Sequence, residues 1–182
     1  MNIRIISGLF GGRKIKAPDT AATHPMSERV RNAMFNIISD QVNGADVLDA
    51  FAGSGAVGLE AISRGAHHAT FVERDRQAVN ALTDNIEAFK LQDCVTLVHS
   101  PVEAWLGSCQ QRFDIIFIDP PYDDTQFSTA FELVKLLKPN GLMVLSYPGR
   151  GEAPTGTNGV VVVDNRSYGT AALAFYQKKS TL

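Results

Sequence analysis

The spacing of apolar and polar positions divides the chain into two regimes. Before Asp46 the apolar residues come in short clusters set among glycines and cations: Ile3-Arg4-Ile5-Ile6, then Ser7-Gly8-Leu9-Phe10-Gly11-Gly12, then Arg13-Lys14-Ile15-Lys16. Short apolar-basic runs around glycines predict a hairpin or a pair of edge strands. A loop is expected over 18–25. Ser27 is placed to cap a helix reaching to about residue 39, with Val30, Met34 and Ile37/Ile38 on one face.

From Asp46 onward, buried-strand patterns alternate with helical ones. Strands are predicted at 47–50, 69–73, 95–99, 113–118 and 141–146, with helices at 57–64, 76–90, 102–106 and 127–137 between them. Phe113-Asp114-Ile115-Ile116-Phe117-Ile118 is nearly all apolar, as a central parallel strand should be. Two further strand-like runs, 160–163 and 171–176, close the chain, and the glycine-rich 148–159 reads as a loop. Repeated strand–helix units predict an α/β fold, a mostly parallel seven-stranded sheet with helices on both faces. The expected division is a basic hairpin extension over 1–25 and one sheet domain over 26–182. Ligands of such sheets bind at the carboxyl ends of the strands, so functional residues should follow strands.

With 182 residues, 45% apolar and 20% charged, the chain is long enough for one domain with its own core and unlike a disordered segment. Cys94 and Cys109 lack metal-type spacing or a partner histidine cluster, so reduced structural cysteines and no metal site are expected. No membrane-length apolar run or signal-peptide pattern is present, and a cytoplasmic monomer without membrane contact is expected. The net charge of −2 hides an asymmetry. Residues 1–35 carry Arg4, Arg13, Lys14, Lys16, Arg29 and Arg31 against Asp19 and Glu28, a net of +4; the rest carries 11 cations against 17 acids, a net of −6. A basic arm on an acidic body fits a face that meets phosphates, and those six cations are the expected RNA contacts; a solvated hairpin is the plainer alternative.

Gly53-Ser54-Gly55-Ala56-Val57-Gly58 follows a strand and opens a helix, and Glu73 lies 20 residues beyond Gly53 at the end of the next strand. That is the spacing of a dinucleotide-type site, where glycines let the backbone approach the ligand and an acid takes ribose hydroxyls. Alone it serves a nicotinamide dinucleotide as well as S-adenosylmethionine. Asp49, ahead of the glycines in Asp49-Ala50-Phe51-Ala52-Gly53, separates the two. A carboxylate there suits an ammonium and a sulfonium and repels a pyrophosphate. Its plainer use would be to satisfy loop N–H groups.

Asp119-Pro120-Pro121-Tyr122 follows the fourth strand directly. An exocyclic amino group on a base is a poor nucleophile, because its lone pair is delocalised into the ring. It reacts only when acceptors hold its N–H bonds with the electrophile in line. Asp119 and a proline carbonyl supply two acceptors, proline stiffens the turn, and Tyr122 offers a stacking face for an extruded base. A Pro-Pro turn closing a buried strand would look similar; its position three strands after the glycine loop favours the chemical reading.

Together these segments resemble the class I methyltransferases that act on amino groups. More narrowly, the chain resembles the bacterial 16S ribosomal RNA guanine-N2 methyltransferase family. The likeness extends over nearly the whole chain. It includes Arg4-Ile5-Ile6-Ser7-Gly8, Gly12-Arg13-Lys14, Arg29-Val30-Arg31 and Phe51-Ala52-Gly53-Ser54-Gly55-Ala56. It continues with Gly58-Leu59-Glu60-Ala61, Phe71-Val72-Glu73, Asp119-Pro120-Pro121-Tyr122 and Tyr168-Gly169. The resemblance implies a Rossmann-like fold in which Asp49, Phe51, Ala52, Gly53, Ser54, Gly55, Gly58 and Glu73 line S-adenosylmethionine, with Asp119 at its methyl end. The same tetrapeptide would hold the guanine, and the hairpin would grip ribosomal RNA or a small-subunit assembly intermediate. Three segments depart from the family pattern: His24-Pro25-Met26 stands where Arg-Pro-Thr is usual, Ser100-Pro101-Val102 lacks the usual adenine-binding aspartate, leaving the Val102 N–H for that role, and 148–159 reads as a loop where many methyltransferases have a helix. An adenine-N6 methyltransferase uses the same tetrapeptide, but a sequence-specific DNA enzyme would need a further base-reading domain. A nicotinamide oxidoreductase would leave residues 119–122 unexplained. A non-catalytic RNA-binding assembly factor would not need them intact.

Overall fold

Among the described residues nine strands and six helices follow one another, alternating from Asp46 onward as expected. The computed structural model describes residues 3–18, 26–121, 126–149 and 152–179. Strands β1 (Ile3–Arg4) and β2 (Lys14–Ile15) form an antiparallel hairpin, followed by α1 (Glu28–Ile37) and α2 (Ser39–Val42). The sheet is then built by β3 (Asp46–Asp49), β4 (His68–Glu73), β5 (Val95–His99), β6 (Phe113–Ile118), β7 (Leu137–Pro148), β8 (Val160–Tyr168) and β9 (Ala171–Lys178). Between them lie α3 (Ala56–Ser63), α4 (Arg76–Phe89), α5 (Val102–Leu106) and α6 (Phe127–Glu132). The strand order is β5-β4-β3-β6-β7-β9-β8. The first five positions are parallel, and β9 runs antiparallel to both β7 and β8. This is the class I methyltransferase architecture expected from the sequence.

Alternation along each strand divides the core into two layers, because successive side chains point to opposite faces. Val47, Ile115, Phe117, Val144 and Phe175 join Val30, Leu59 and Leu82 on one face. Leu48, Ile116, Ile118, Met143, Leu145 and Tyr176 join Val102, Leu106 and Phe131 on the other. The hairpin belongs to the first layer through buried Ile3, Ile5 and Ile15. It lies so close to α3 that a Cβ on Gly8, at φ +81°, would stand 1.9 Å from the Ser63 carbonyl oxygen. Only glycine takes that conformation at that distance.

Element boundaries differ from the sequence expectation in several places, among them β7, which runs Leu137–Pro148 where a strand over 141–146 is expected. The first helix is interrupted at Ile38, the C-cap of α1, which is buried at 1% exposure, and resumes as α2. The helix expected over 127–137 is α6 and a 3-10 turn, Leu133–Leu136. β8 runs beyond its valines through Asp164-Asn165-Arg166-Ser167, because β9 pairs with it on both sides of a register shift at Val163 and its other side is the sheet edge, where polar residues remain solvated. Residues 152–159 contain no helix, as expected. Among the described residues no helix is long and apolar enough to cross a membrane.

The chain moves outward from β3 through β4 to β5, then returns to the other side of β3 as β6 and β7. The carboxyl ends of β3 and β6 therefore flank a topological switch point, the place where open α/β sheets bind ligands.

Candidate active site

Asp49 ends β3, and the glycine loop turns from it into α3. Gly53 and Gly55 are left-handed, at φ +52° and +77°. A Cβ on Gly55 would meet the Leu82 side chain at 2.3 Å, and one on Gly58 would meet the Phe71 ring at 2.2 Å. These two glycines allow α3 to pack against α4 and β4. Gly53 faces open space instead: a Cβ there would meet nothing within 4 Å.

The carboxylates around the loop have defined partners. Glu73 Oε2 accepts from the Gly53 N–H at 2.7 Å and Oε1 accepts from the Asp75 N–H at 2.8 Å. Asp75, not Glu73, caps α4, accepting from the Ala78 N–H at 2.8 Å. Asp49 Oδ2 accepts from the Gly58 N–H at 2.9 Å, with 2% of the residue exposed. One oxygen of Asp49 thus satisfies the first turn of α3, the plainer of its two expected uses. Burial, reinforced by the negative charges of Asp119 and Glu73, pushes the Asp49 carboxyl up to about 7. Phe51 is half-buried against the second core layer, Ala52 and Ser54 are buried, and Val102 is buried at the start of α5 behind Pro101.

Asp119 leaves the end of β6. It is half-buried, followed by buried Pro120 and exposed Pro121; Tyr122 lies outside the described residues. Burial pushes the Asp119 carboxyl up to about 6, opposed by hydrogen bonds from the Ser146 hydroxyl and the Met26 backbone N–H. Because Asp49 pairs with Phe117 in register, Asp49 and Asp119 emerge side by side from neighbouring strands. Asp49, Glu73 and Asp119 give this end of the sheet a concentrated negative charge. Such a site fits a ligand carrying a sulfonium and an ammonium and disfavours a pyrophosphate.

The six expected RNA-contacting cations separate into classes. Arg31 is a correction: at 0% exposure it is internal, with Nη2 donating to the Arg4 carbonyl at 2.5 Å and Nε 3.7 Å from Glu60 Oε2. An arginine placed there serves the fold and cannot reach a phosphate. Arg4 is paired with Glu28 at 3.0 Å, and Lys16 with Asp84 at 2.9 Å. Arg13 lies 4.1 Å over the Phe89 ring and donates to the Ala88 carbonyl at 3.0 Å. Lys14 and Arg29 are exposed and make no ion pair among the described residues.

Sequence reasoning passed over three residues. Ser146 is a lone hydroxyl in the apolar run Leu142-Met143-Val144-Leu145-Ser146-Tyr147, and that isolation was its signal. Glu60, at 0% exposure, accepts from the Ile6 and Ser7 N–H groups at 2.7 and 3.1 Å and from Arg64 Nε at 2.7 Å. Asn85, at 3% exposure, hydrogen-bonds both the arm and the glycine loop. Asn85 carries no sequence signal, because it answers backbone groups distant in the chain; Glu60 lies in the run Gly58-Leu59-Glu60-Ala61 of the resemblance, but its backbone partners are equally distant.

Comparison with known proteins adds to this geometry. Residues 3–177 match the family described as conserved hypothetical protein 95. An Escherichia coli protein named ribosomal RNA small subunit methyltransferase D is 38% identical over 139 residues, spanning 76% of this chain and 68% of that one. A Bacillus subtilis protein, YlbH, described as a candidate rRNA methyltransferase, is 32% identical over 97% of this chain and 100% of its own. A solved Escherichia coli structure, 32% identical, superposes with a TM-score of 0.88 over 100% of both chains.

Proposed function

The chain belongs to the conserved hypothetical protein 95 family, and from that premise we propose that it is an S-adenosylmethionine-dependent methyltransferase acting on the exocyclic N2 of a guanine in 16S ribosomal RNA. The observation that carries the reading is the half-buried Asp119, held by Ser146 and Met26 beside Asp49 at the switch point of the sheet. The open space before Gly53 and the acidic surroundings suit the cofactor. When bound, S-adenosylmethionine supplies an electrophilic methyl group.

Each side chain then has a role. Glu73, which accepts from the Gly53 N–H, takes the ribose hydroxyls in this reading. Asp49 holds the loop through Gly58 and contributes negative charge toward the cationic part of the cofactor. The Val102 N–H and the residues around Phe51 take the adenine. Asp119 and the Pro120 carbonyl accept the two N–H bonds of the guanine amino group, which directs its nitrogen lone pair toward the methyl. Tyr122 is assigned the stacking face by its chemistry. The proton shed after transfer leaves to Asp119 or to water. Lys14 and Arg29 meet RNA phosphates, joined by Arg4, Arg13 and Lys16 where phosphate displaces their exposed partners.

The test is incubation of the protein with radiolabelled S-adenosylmethionine and small ribosomal subunits lacking their guanine methylation, followed by nucleoside mass spectrometry. Label in N2-methylguanosine is expected. Label in N6-methyladenosine would keep the chemistry and replace the base. Cofactor binding with no label in RNA would overturn the substrate assignment.

A further inference from the structure

Asn85 stands on the buried face of α4, where one amide joins two segments to which different ligands are assigned. Its Oδ1 accepts from the Lys16 N–H at 2.7 Å, and its Nδ2 donates to the Lys16 carbonyl at 3.0 Å and to the Ser54 carbonyl at 3.3 Å. The reciprocal pair on Lys16 fixes which way the amide faces, since the N–H requires an acceptor and the carbonyl a donor. The remaining Nδ2 hydrogen is thereby aimed at Ser54, inside the glycine loop. Only a carboxamide offers one acceptor and two donors in this arrangement.

The two ends of this connection differ in freedom. Ser54 is buried in the loop at 7% exposure. Lys16 extends its ammonium to Asp84 at 2.9 Å, with the two side chains 68% and 51% exposed. An ion pair so open to water is weak, so a phosphate can take the ammonium without large cost. The arm also rests on α3, the helix that the glycine loop opens. Ile6 and Ser7 donate to Glu60, Phe10 donates to Ser63 Oγ at 2.9 Å, and Ser63 Oγ donates to the Ser7 carbonyl at 2.5 Å. Those contacts set the position of the arm on α3; among the described residues, Asn85 alone ties its far end to the loop backbone itself.

We propose that Asn85 is a positioning residue that couples RNA binding on the N-terminal arm to cofactor binding in the Gly53–Ser54–Gly55 loop. The inference rests on the proposed cofactor and substrate. Phosphate contacts that hold Lys16 fix the Asn85 amide, the amide holds the Ser54 carbonyl, and the loop meets the cofactor already ordered. Linkage makes the effect reciprocal: bound cofactor strengthens RNA binding by the same factor.

Calorimetric titration of S-adenosylhomocysteine into the full chain, alone and saturated with unmethylated 16S rRNA transcript, measures the coupling. In the unaltered protein the Kd is expected to be about fivefold lower or more with RNA present, the lower end of common coupling. In Asn85→Ala the two values should converge. Asn85→Asp, nearly isosteric, keeps the acceptor for the Lys16 N–H but not both donated bonds, and serves where the alanine variant fails to fold. Equal affinity with and without RNA in the unaltered protein would overturn the coupling. So would a folded variant that weakens binding by one common factor in both conditions, which is what a purely structural staple does. Failure of the unaltered protein to bind the nucleoside or the RNA at all would instead remove the proposed function, and the coupling with it.

Discussion

Asp119 and Asp49 are carboxyl groups whose surroundings raise their proton affinity, to about 6 and about 7. The sign of the consequence differs between activity and stability. As an acceptor of amino N–H bonds Asp119 must be ionised, so kcat/KM should rise with pH through about 6, reporting the free enzyme. Asp119→Asn should lower turnover roughly 100- to 1,000-fold while still binding S-adenosylhomocysteine. A variant with full turnover would remove Asp119 from the reaction. For stability, both folded-state values exceed those of an unfolded aspartate, so the native protein holds more protons. The contribution is complete below about pH 4 and is lost as pH rises through about 6 and 7. Urea unfolding of the ligand-free protein at pH 5 and pH 8 should show this loss, and Asp49→Asn should reduce it. These two aspartates were legible from their places at strand ends. Ser146 showed only as a lone hydroxyl in an apolar run, and the Met26 N–H not at all, because hydrogen bonds between segments far apart in the chain leave no spacing in the sequence.

Helix α3 shows how an element can be legible as a unit and opaque in its details. All eight of its residues are buried, so the helix could be read from the glycine loop that opens it, but its partners could not. The third glycine of the loop is required because β4 places Phe71, at 0% exposure, directly against it. In Gly58→Ala two effects compete. Alanine gains about 1 kcal/mol in helix propensity. The new methyl, 2.2 Å from a ring carbon with no room to withdraw, costs about 1–3 kcal/mol in overpacking. Overpacking should prevail, with net destabilisation in urea unfolding and partial recovery in Gly58→Ala/Phe71→Leu. Equal stability of the single variant would mean that α3 slides freely on the sheet. The interruption of α1 at Ile38 was illegible for a related reason: Ser39 and Asp40 continue a plausible helix, and only the burial of Ile38 and Val42 shows where the chain must turn.

At the scale of the whole molecule, the charge asymmetry was legible but its use was not. Six cations against two acids in the first 35 residues read as one basic face. In the fold one of them, Arg31, is spent inside the protein. Burial lowers its proton affinity and the Glu60 carboxylate opposes that, so the residue belongs to a buried network with Arg64 that holds the arm on α3. Three others begin with protein partners, and Lys14 and Arg29 alone among the six meet solvent without one among the described residues. This ordering predicts unequal responses to salt. Each phosphate contact releases counterions, so the slope of log affinity against log salt counts the cations engaged. Lys14→Ala and Arg29→Ala should each weaken binding to 16S rRNA across sequences and reduce that slope by roughly one. Arg31→Ala should leave the slope of the remaining folded protein unchanged and lower stability by about 3–5 kcal/mol, because Glu60 loses a buried partner. Filter-binding titrations at several salt concentrations, with urea unfolding of the same variants, separate the two kinds of arginine. A normal salt slope in both surface variants would move the RNA-binding face off the arm and α1, and the basic residues of the arm would be a solvated hairpin after all.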